Sequence, residues 1–174
     1  VHGFSDEVGY FSGRPTSVSG PGGSERTNAV FIQDVWAVTK KLSLNLGARV
    51  DAWKNFDSHS ATRSLTTGAA SDTLFADRSE TAFSPRVAAI YQINENASVY
   101  GAYTRSFRAP TLNELYRGFR VGNIVTHPNE NLRAEYANTV EGGVGLMFFE
   151  RRLSLRGSVF ATTVSNPVVS VTLN

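Results

Sequence analysis

The sequence predicts an all-β protein: an antiparallel up-and-down meander of about six long strands, built like the wall of a transmembrane β-barrel. Three observations predict it. Long segments alternate strictly between apolar and polar residues. The connections between them run short, long, short, long, short, which in a meander puts every long loop at one end. The strand arginines Arg49, Arg86 and Arg156 all fall on the polar parity.

The bulk composition narrows the class. The chain has 174 residues, 41% of them hydrophobic, and a net charge of +2. That is enough for one domain, without the concentrated basic face that nucleic acid demands. No nucleic-acid partner is expected. With no cysteine, disulfides and thiolate metal sites are excluded. No apolar run approaches the 18 residues of a membrane helix, so any crossing must be made by strands. The start, Val1-His2-Gly3, has neither Met nor a signal-peptide pattern and suggests a cut inside a longer protein.

Taken in order, residues 1–26 are rich in Gly, Ser and Pro (SGRPTSVSGPGGSER) and predict a loop or flexible arm. A strand with poor alternation follows over about 28–38. The clearest strand is 42–55, with Leu42, Leu44, Leu46, Ala48, Val50 and Ala52 on one face. Ser43, Asn45, Gly47, Arg49 and Asp51 lie on the other. Strand 80–93 sets Pro85, Val87, Ala89, Tyr91 and Ile93 against Ser84, Arg86 and Gln92, with Ala88 and Ile90 also on the second side. Strand 97–107 (ASVYGAYT and beyond) leads into the first irregular arginines. Strand 135–149 sets Val140, Val144, Leu146 and Phe148 against Thr139, Glu141, Gly143 and Gly145. Strand 152–165 sets Leu153, Leu155, Gly157, Val159 and Ala161 against Ser154, Arg156, Ser158 and Thr162.

Tight turns are expected at Thr39-Lys40-Lys41, Asn94-Glu95-Asn96 and Glu150-Arg151. The long loops fall at about 56–79 and 108–134. A Lys or Arg facing lipid at mid-bilayer costs about 2–4 kcal/mol, falling to about 0–1 near the interface. Lys54 and Arg105 break the polar parity, and both sit at strand ends. Trp53 also lies on the polar parity and fits no aromatic girdle. A soluble β-sandwich also alternates, but its loops are not sorted by length to one end. A passive porin or adhesin-type barrel and a soluble β-rich binding module are the alternatives, and detergent dependence separates the second from the membrane readings.

One long loop carries a motif. After strand 97–107 comes RSFRAPTLNELYRGFR (Arg105 to Arg120). Pro110 fixes φ and has no N–H, so it ends the ladder. Thr111 is placed to N-cap a short helix over Leu112 to Tyr116, with Glu114 at N3 of a capping box.

The run SVYGAYTRSFRAPTLNELYRGFRVGN (Ser98 to Asn123), followed by NENLRAEYANTVEGGV (Asn129 to Val144), resembles TonB-dependent outer-membrane receptors. AVFIQDVWAVTKKLSLNLGARVDAW (Ala29 to Trp53) and FSPRVAAIYQI resemble further strands of that family. The resemblance covers most of Ala29 to Asn174. The chain departs from the family pattern at Ala134, where a Pro often precedes the Glu.

The resemblance implies active transport of a scarce nutrient: iron–siderophore, haem, cobalamin or carbohydrate. It implies a 22-stranded barrel in the Gram-negative outer membrane, with lipid around it and the helix in an extracellular loop. It also implies an N-terminal plug domain, and coupling to TonB, ExbB and ExbD through that plug. Residues 27–174 then make part of the barrel, without the plug. Such a piece does not transport by itself, and its open edges and apolar face make it oligomeric in isolation.

The polar candidates for lumen or extracellular loop are Arg108, Glu114, Arg120, Asn123, Arg133, Glu135 and Glu141, expected to be architectural rather than ligand-contacting. Arg108, Glu114, Arg133, Glu135 and Glu141 are expected to form one lattice on the inner wall. Ligand choice is expected in the loops 57–77 and 117–127. The chain holds no G-x-S-x-G, HExxH or Walker motif, and no enzyme activity is expected. His2, His59 and His127 fall in predicted loops, far apart in sequence. Asp51, Asp57, Asp72 and Asp77 lack EF-hand spacing. No catalytic residue, metal site or cofactor is expected.

Overall fold

A computed structural model describes residues 2–4, 6–121 and 124–169, with residues 119–121 and 124–125 described by backbone alone. In chain order the elements are β1 (His2–Phe4), β2 (Glu7–Phe11), β3 (Arg14–Ala37), β4 (Leu42–Ser64), β5 (Ala70–Leu74), β6 (Arg78–Asn94), β7 (Ala97–Arg108), α1 (Leu112–Tyr116), β8 (Phe119–Val121), β9 (Ile124–Thr126), β10 (Glu135–Phe148) and β11 (Leu153–Ser165). One antiparallel sheet runs β1-β3-β4-β6-β7-β10-β11, with β2 added to β3 and β5 to β4. The hairpin β8–β9 stands apart. Six of these strands are long, and they follow one another as an up-and-down meander.

Cross-strand register turns the sequence alternation into two faces. Val30, Val50 and Phe83 align, as do Leu46, Val87, Tyr103, Val140 and Ala161 through successive pairs. Asn45 pairs with Ala88, Arg49 with Ser84 and Thr104 with Thr139 on the other face. The apolar side chains are left outward: Val30, Ile32, Val140 and Val159 are all exposed. A sheet with its apolar side unburied has its packing partner in lipid or in another molecule.

The three tight turns are where the pattern predicts them, each with its own local chemistry. Thr39 Oγ1 accepts from the N–H of Lys41 at 3.1 Å and of Leu42 at 3.0 Å. Asn94 Oδ1 accepts from Asn96 N–H at 2.8 Å. Phe149, Glu150 and Arg151 take φ of 52°, 54° and 71°, and Arg152 N–H closes on Phe149 O at 3.1 Å.

Two expectations are corrected. Residues 1–26 are not a loop over their described part but carry β1, β2 and the first half of β3. Their glycines serve close approach: a Cβ on Gly22 would lie 2.1 Å from Phe4 Cδ1, and one on Gly23 2.7 Å from Ser58 Oγ. Composition read these residues as turn formers where they are packing residues. Second, the strand expected to end at Asn55 continues to Ser64, then folds back through β5. The register shifts between Gly22 and Ser24, opposite Asp57, whose φ is 52°. That bulge reverses the parity: Trp53 and Asn55 are buried before it, Ser58 after it. The alternation therefore breaks although the strand does not.

Candidate functional site

Everything distinctive about the molecule gathers at the end carrying the long loops. The loop after β7 does not project away. It brings α1 back onto the polar face of the sheet, against β3 and β4. Leu115 and Tyr116 pack on Trp53, and all three are buried; Phe75, Ala109, Leu112 and Leu132 close around them. Tyr116 also meets the Phe75 ring, with centroids 4.7 Å apart. This is why Trp53 violates the alternation: it is the floor under a helix, not a girdle residue.

The helix starts as its sequence predicts. Thr111 is the N-cap, its Oγ1 accepting from Glu114 N–H at 3.3 Å, while the Glu114 carboxylate accepts from Thr111 N–H at 2.8 Å. Glu114 also faces Arg108, the last residue of β7, at 3.1 Å. Arg108 Nε donates to Glu135, the first residue of β10, at 2.5 Å. Glu135 in turn accepts from Val168 N–H. One guanidinium thereby ties two strand ends to the helix. A second tie, Arg117 to Glu7, joins the helix end to β2.

The electrostatics follow the geometry. At Glu114 burial pushes the carboxyl up, but Arg108 and the Thr111 N–H and hydroxyl outweigh it and hold it below its ordinary value. Glu135 is lowered by Arg108 first and by the Val168 N–H second. Arg108 is raised by both carboxylates, Glu135 foremost.

Of the seven polar candidates, the structure brings Arg108, Glu114 and Glu135 together. Glu141 lies six residues further along β10, about 20 Å away at strand spacing, and accepts from Tyr100 OH instead. That tyrosine lies across Gly143, where a Cβ would sit 2.4 Å from its Cε1. Arg133 precedes β10 and faces a cavity. The expected five-residue lattice is therefore a three-residue one, because the strand's length separates what the sequence placed in one motif. Asn123 lies outside the described residues, as does the Arg120 side chain.

The cavity holds about 1010 Å³ and is lined by Phe75, Arg78, Glu80, Tyr116, Arg133 and Tyr136 among others. Arg78 is fully committed: to Glu80 at 2.9 Å, to Leu132 O at 2.7 Å and to Glu130 O, with its guanidinium 5.8 Å from the Trp53 ring centroid. Sequence reasoning missed Arg78, since its partners are carbonyls 52 and 54 positions away.

His2 and His59, expected in loops, lie in β1 and β4 on either side of β3. His2 Nδ1 is 2.7 Å from Ser24 Oγ, and His59 stacks on Phe4. Asp51 pairs with Arg49 at 2.6 Å and Asp77 with Lys54 at 2.8 Å. No group of three metal-ligating side chains occurs among the described residues.

A sheet with one outward apolar face, tight turns at one end and a packed loop at the other defines an outer-membrane β-barrel wall. Residues 2–174 match the family model described as TonB dependent receptor-like, beta-barrel, and the chain belongs to that family. It is 28% identical over 126 residues to the iron-regulated outer membrane virulence protein of Vibrio cholerae, covering 68% of this chain and 16% of that one. It is 34% identical over 82 residues to the hemin receptor of Yersinia enterocolitica, covering 39% and 12%. Among solved structures it resembles the ferric yersiniabactin uptake receptor FyuA of Yersinia pestis, with a TM-score of 0.69 at 15% identity over 92% of this chain and 25% of that one. It also resembles the ferric-catecholate import receptor Fiu of E. coli, with a TM-score of 0.58 at 22% identity over 86% and 22%. The chain thus spans less than a fifth of the length of the two curated relatives and about a quarter of the two solved receptors. The family's home is the Gram-negative outer membrane.

Proposed function

We propose that the chain forms part of the barrel wall of a TonB-dependent receptor that imports an iron chelate, either a ferric siderophore or haem. The observation that carries this is the docked loop: a short helix laid on the polar wall and pinned by Arg108, Glu114 and Glu135. The FRAP…NELY sequence that builds this loop, and the family match over residues 2–174, favour the receptor over a passive porin. The names of the relatives, iron-regulated and hemin receptor, support iron as the nutrient. In this reading the apolar face meets lipid, the polar face lines the lumen, and α1 sits at the extracellular end. Coupling to TonB, ExbB and ExbD runs through a plug domain, and the chain acts as no enzyme. Arg108, Glu114 and Glu135 serve architecture, while ligand choice resides in 57–77 and 117–127.

The test is growth under iron limitation of cells that depend on the receptor carrying this chain, with haem or defined ferric siderophores as the iron source. Growth on one of these sources that requires both the receptor and TonB is expected. Growth indifferent to TonB would point to passive diffusion. Exchanging residues 117–127 should change which source is used, whereas Arg108→Gln should weaken use of every source alike.

A further inference from the structure

The outward face of the wall carries one charge in a place meant for apolar residues. Paired residues share a face, so β3 sets Val30, Ile32, Asp34 and Trp36 beside Val50, Ala48, Leu46 and Leu44 of β4. The row through Leu46 runs on through Val87, Tyr103 and Val140. The other charged strand residues of this face, Arg26, Lys54 and Arg105, lie toward the loop end. Asp34 lies five residues above Thr39 of the tight turn. On a strand tilted by about 40° that is roughly 13 Å along the membrane normal, inside an apolar band of about 25 Å. Among the described residues Asp34 is the only charged side chain of this face within that band.

Nothing on β4 answers the carboxylate. Leu46 stands directly opposite, with Leu44 and Ala48 on the diagonals. Lys41, at the turn, donates to Ile93 O at 3.1 Å. Among the described residues the Asp34 side chain makes no ion pair and accepts one hydrogen bond, from Val35 N–H at 2.9 Å. That N–H gives a direction. Gln92 N–H donates to Lys41 O, so odd-numbered β4 residues turn their backbone groups to β6, and even-numbered ones, Leu46 included, to β3. The backbone of Asp34 therefore faces Leu46, and that of Val35 faces the edge without a strand partner from Arg26 to Ala37. The carboxylate leans to that edge and occupies a ladder donor there.

Open edges do not sit in hydrocarbon, so in a closed barrel a further strand pairs along this edge. Its carbonyl takes the Val35 N–H, and the carboxylate loses its donor. A carboxylate left unpaired in an apolar medium is costly. A residue across the new ladder has its Cβ about 5 Å away, on the side to which Asp34 already leans. A cation there also fixes register, since a slip of one residue turns it to the lumen.

We propose that Asp34 is half of a cross-strand ion pair on the lipid side of the wall, its partner a Lys or Arg on the strand of the receptor that pairs with β3 from Arg26 to Ala37. The proposal rests on the wall reading given above. The test uses the receptor carrying this chain, refolded alone into phosphatidylcholine vesicles, with reversible denaturant unfolding followed by fluorescence. Replacing an unpaired carboxylate that faces lipid should stabilise; replacing a paired one strands its cation. Asp34→Leu is therefore expected to lower the folded-to-unfolded ratio about thirtyfold, equivalent to the roughly 2 kcal/mol of an unpaired cation in the apolar band. Asp34→Glu, which keeps the charge, should lose far less, and Asp34→Asn is read in place of Asp34→Leu if the latter does not refold. Each outward Lys or Arg of the neighbouring strand is then replaced by Leu in the Asp34→Leu background, and one such replacement should recover most of the loss. Unchanged or raised stability of Asp34→Leu would overturn the proposal. So would a loss that no second replacement recovers, or one confined to native membranes, which would mark a separate partner protein. A lipid-embedded quencher that fails to reach Trp36 in the unaltered receptor would instead overturn the wall reading.

Discussion

Arg108 is the residue on which the loop's placement most depends, because it answers two carboxylates from different elements. Its side chain is about half exposed, so solvent screening limits each pair to a modest value. Arg108→Gln is expected to destabilise the docked loop by about 1 kcal/mol, read as faster hydrogen exchange at residues 112–116 with the strands unchanged. Acid should do the same. Glu114 and Glu135 are depressed in the fold, so their contribution is complete above the unfolded value of about 4.3 and is lost as pH falls below it. Exchange at α1 should therefore rise below about pH 4 in the native chain and much less in Arg108→Gln. A rise of equal size in both would show that the hub is not the acid-labile element.

At the scale of the element, the helix holds to the wall through Trp53. Removing a fully buried Trp costs about 3–5 kcal/mol. Trp53→Ala should therefore free the loop far more than Arg108→Gln does, making residues 109–134 susceptible to protease while the β4–β6 ladder persists. Retained protection would contradict the docking. β6 and β7 pair only as far as Arg86↔Thr104, where Pro85 offers β7 no N–H; Pro85→Ala restores that donor, and slower exchange at Arg105 and Phe107, whose N–H groups face β6, is expected if the proline ends the pairing.

The elements also show what a sequence discloses. Strands 42–55 and 135–149, the three tight turns and the capping box of α1 were legible because each rests on local periodicity or i,i+3 chemistry. β1 to β3 were not, since Gly22 and Gly23 earn their places by contacts with Phe4 and Ser58 from distant positions. The bulge at Asp57 hid the rest of β4 by reversing its parity. The hub was half legible: Arg108 and Glu114 lie in one motif, but only the fold decides that Glu135 joins them and that Glu141 and Arg133 do not. Pro85 was visible as an apolar-parity residue, and its consequence for the wall needed the register.

For the whole molecule, the fold leaves two long edges without a strand partner among the described residues, β3 from Arg26 to Ala37 and the outer side of β11. Unpaired strand edges recruit other chains. The isolated 174-residue chain is therefore expected to self-associate in detergent-free buffer and to disperse in micelles, as measured by light scattering after size exclusion. The central claim is that the two faces of this sheet meet different media, and the two tryptophans report on them separately. Trp36 is on the apolar face, opposite Leu44, and 57% exposed; Trp53 is on the polar face and 2% exposed. The most direct measurement is fluorescence quenching by a lipid-embedded quencher in vesicles containing the receptor that carries this chain, comparing variants that keep only one of these two, Trp53→Phe and Trp36→Phe, with any tryptophan elsewhere in the receptor replaced. Strong quenching of Trp36 and little of Trp53 is the predicted result. Equal quenching of both, or quenching of Trp36 by an aqueous quencher alone, would contradict a wall with lipid on one side and a lined interior on the other.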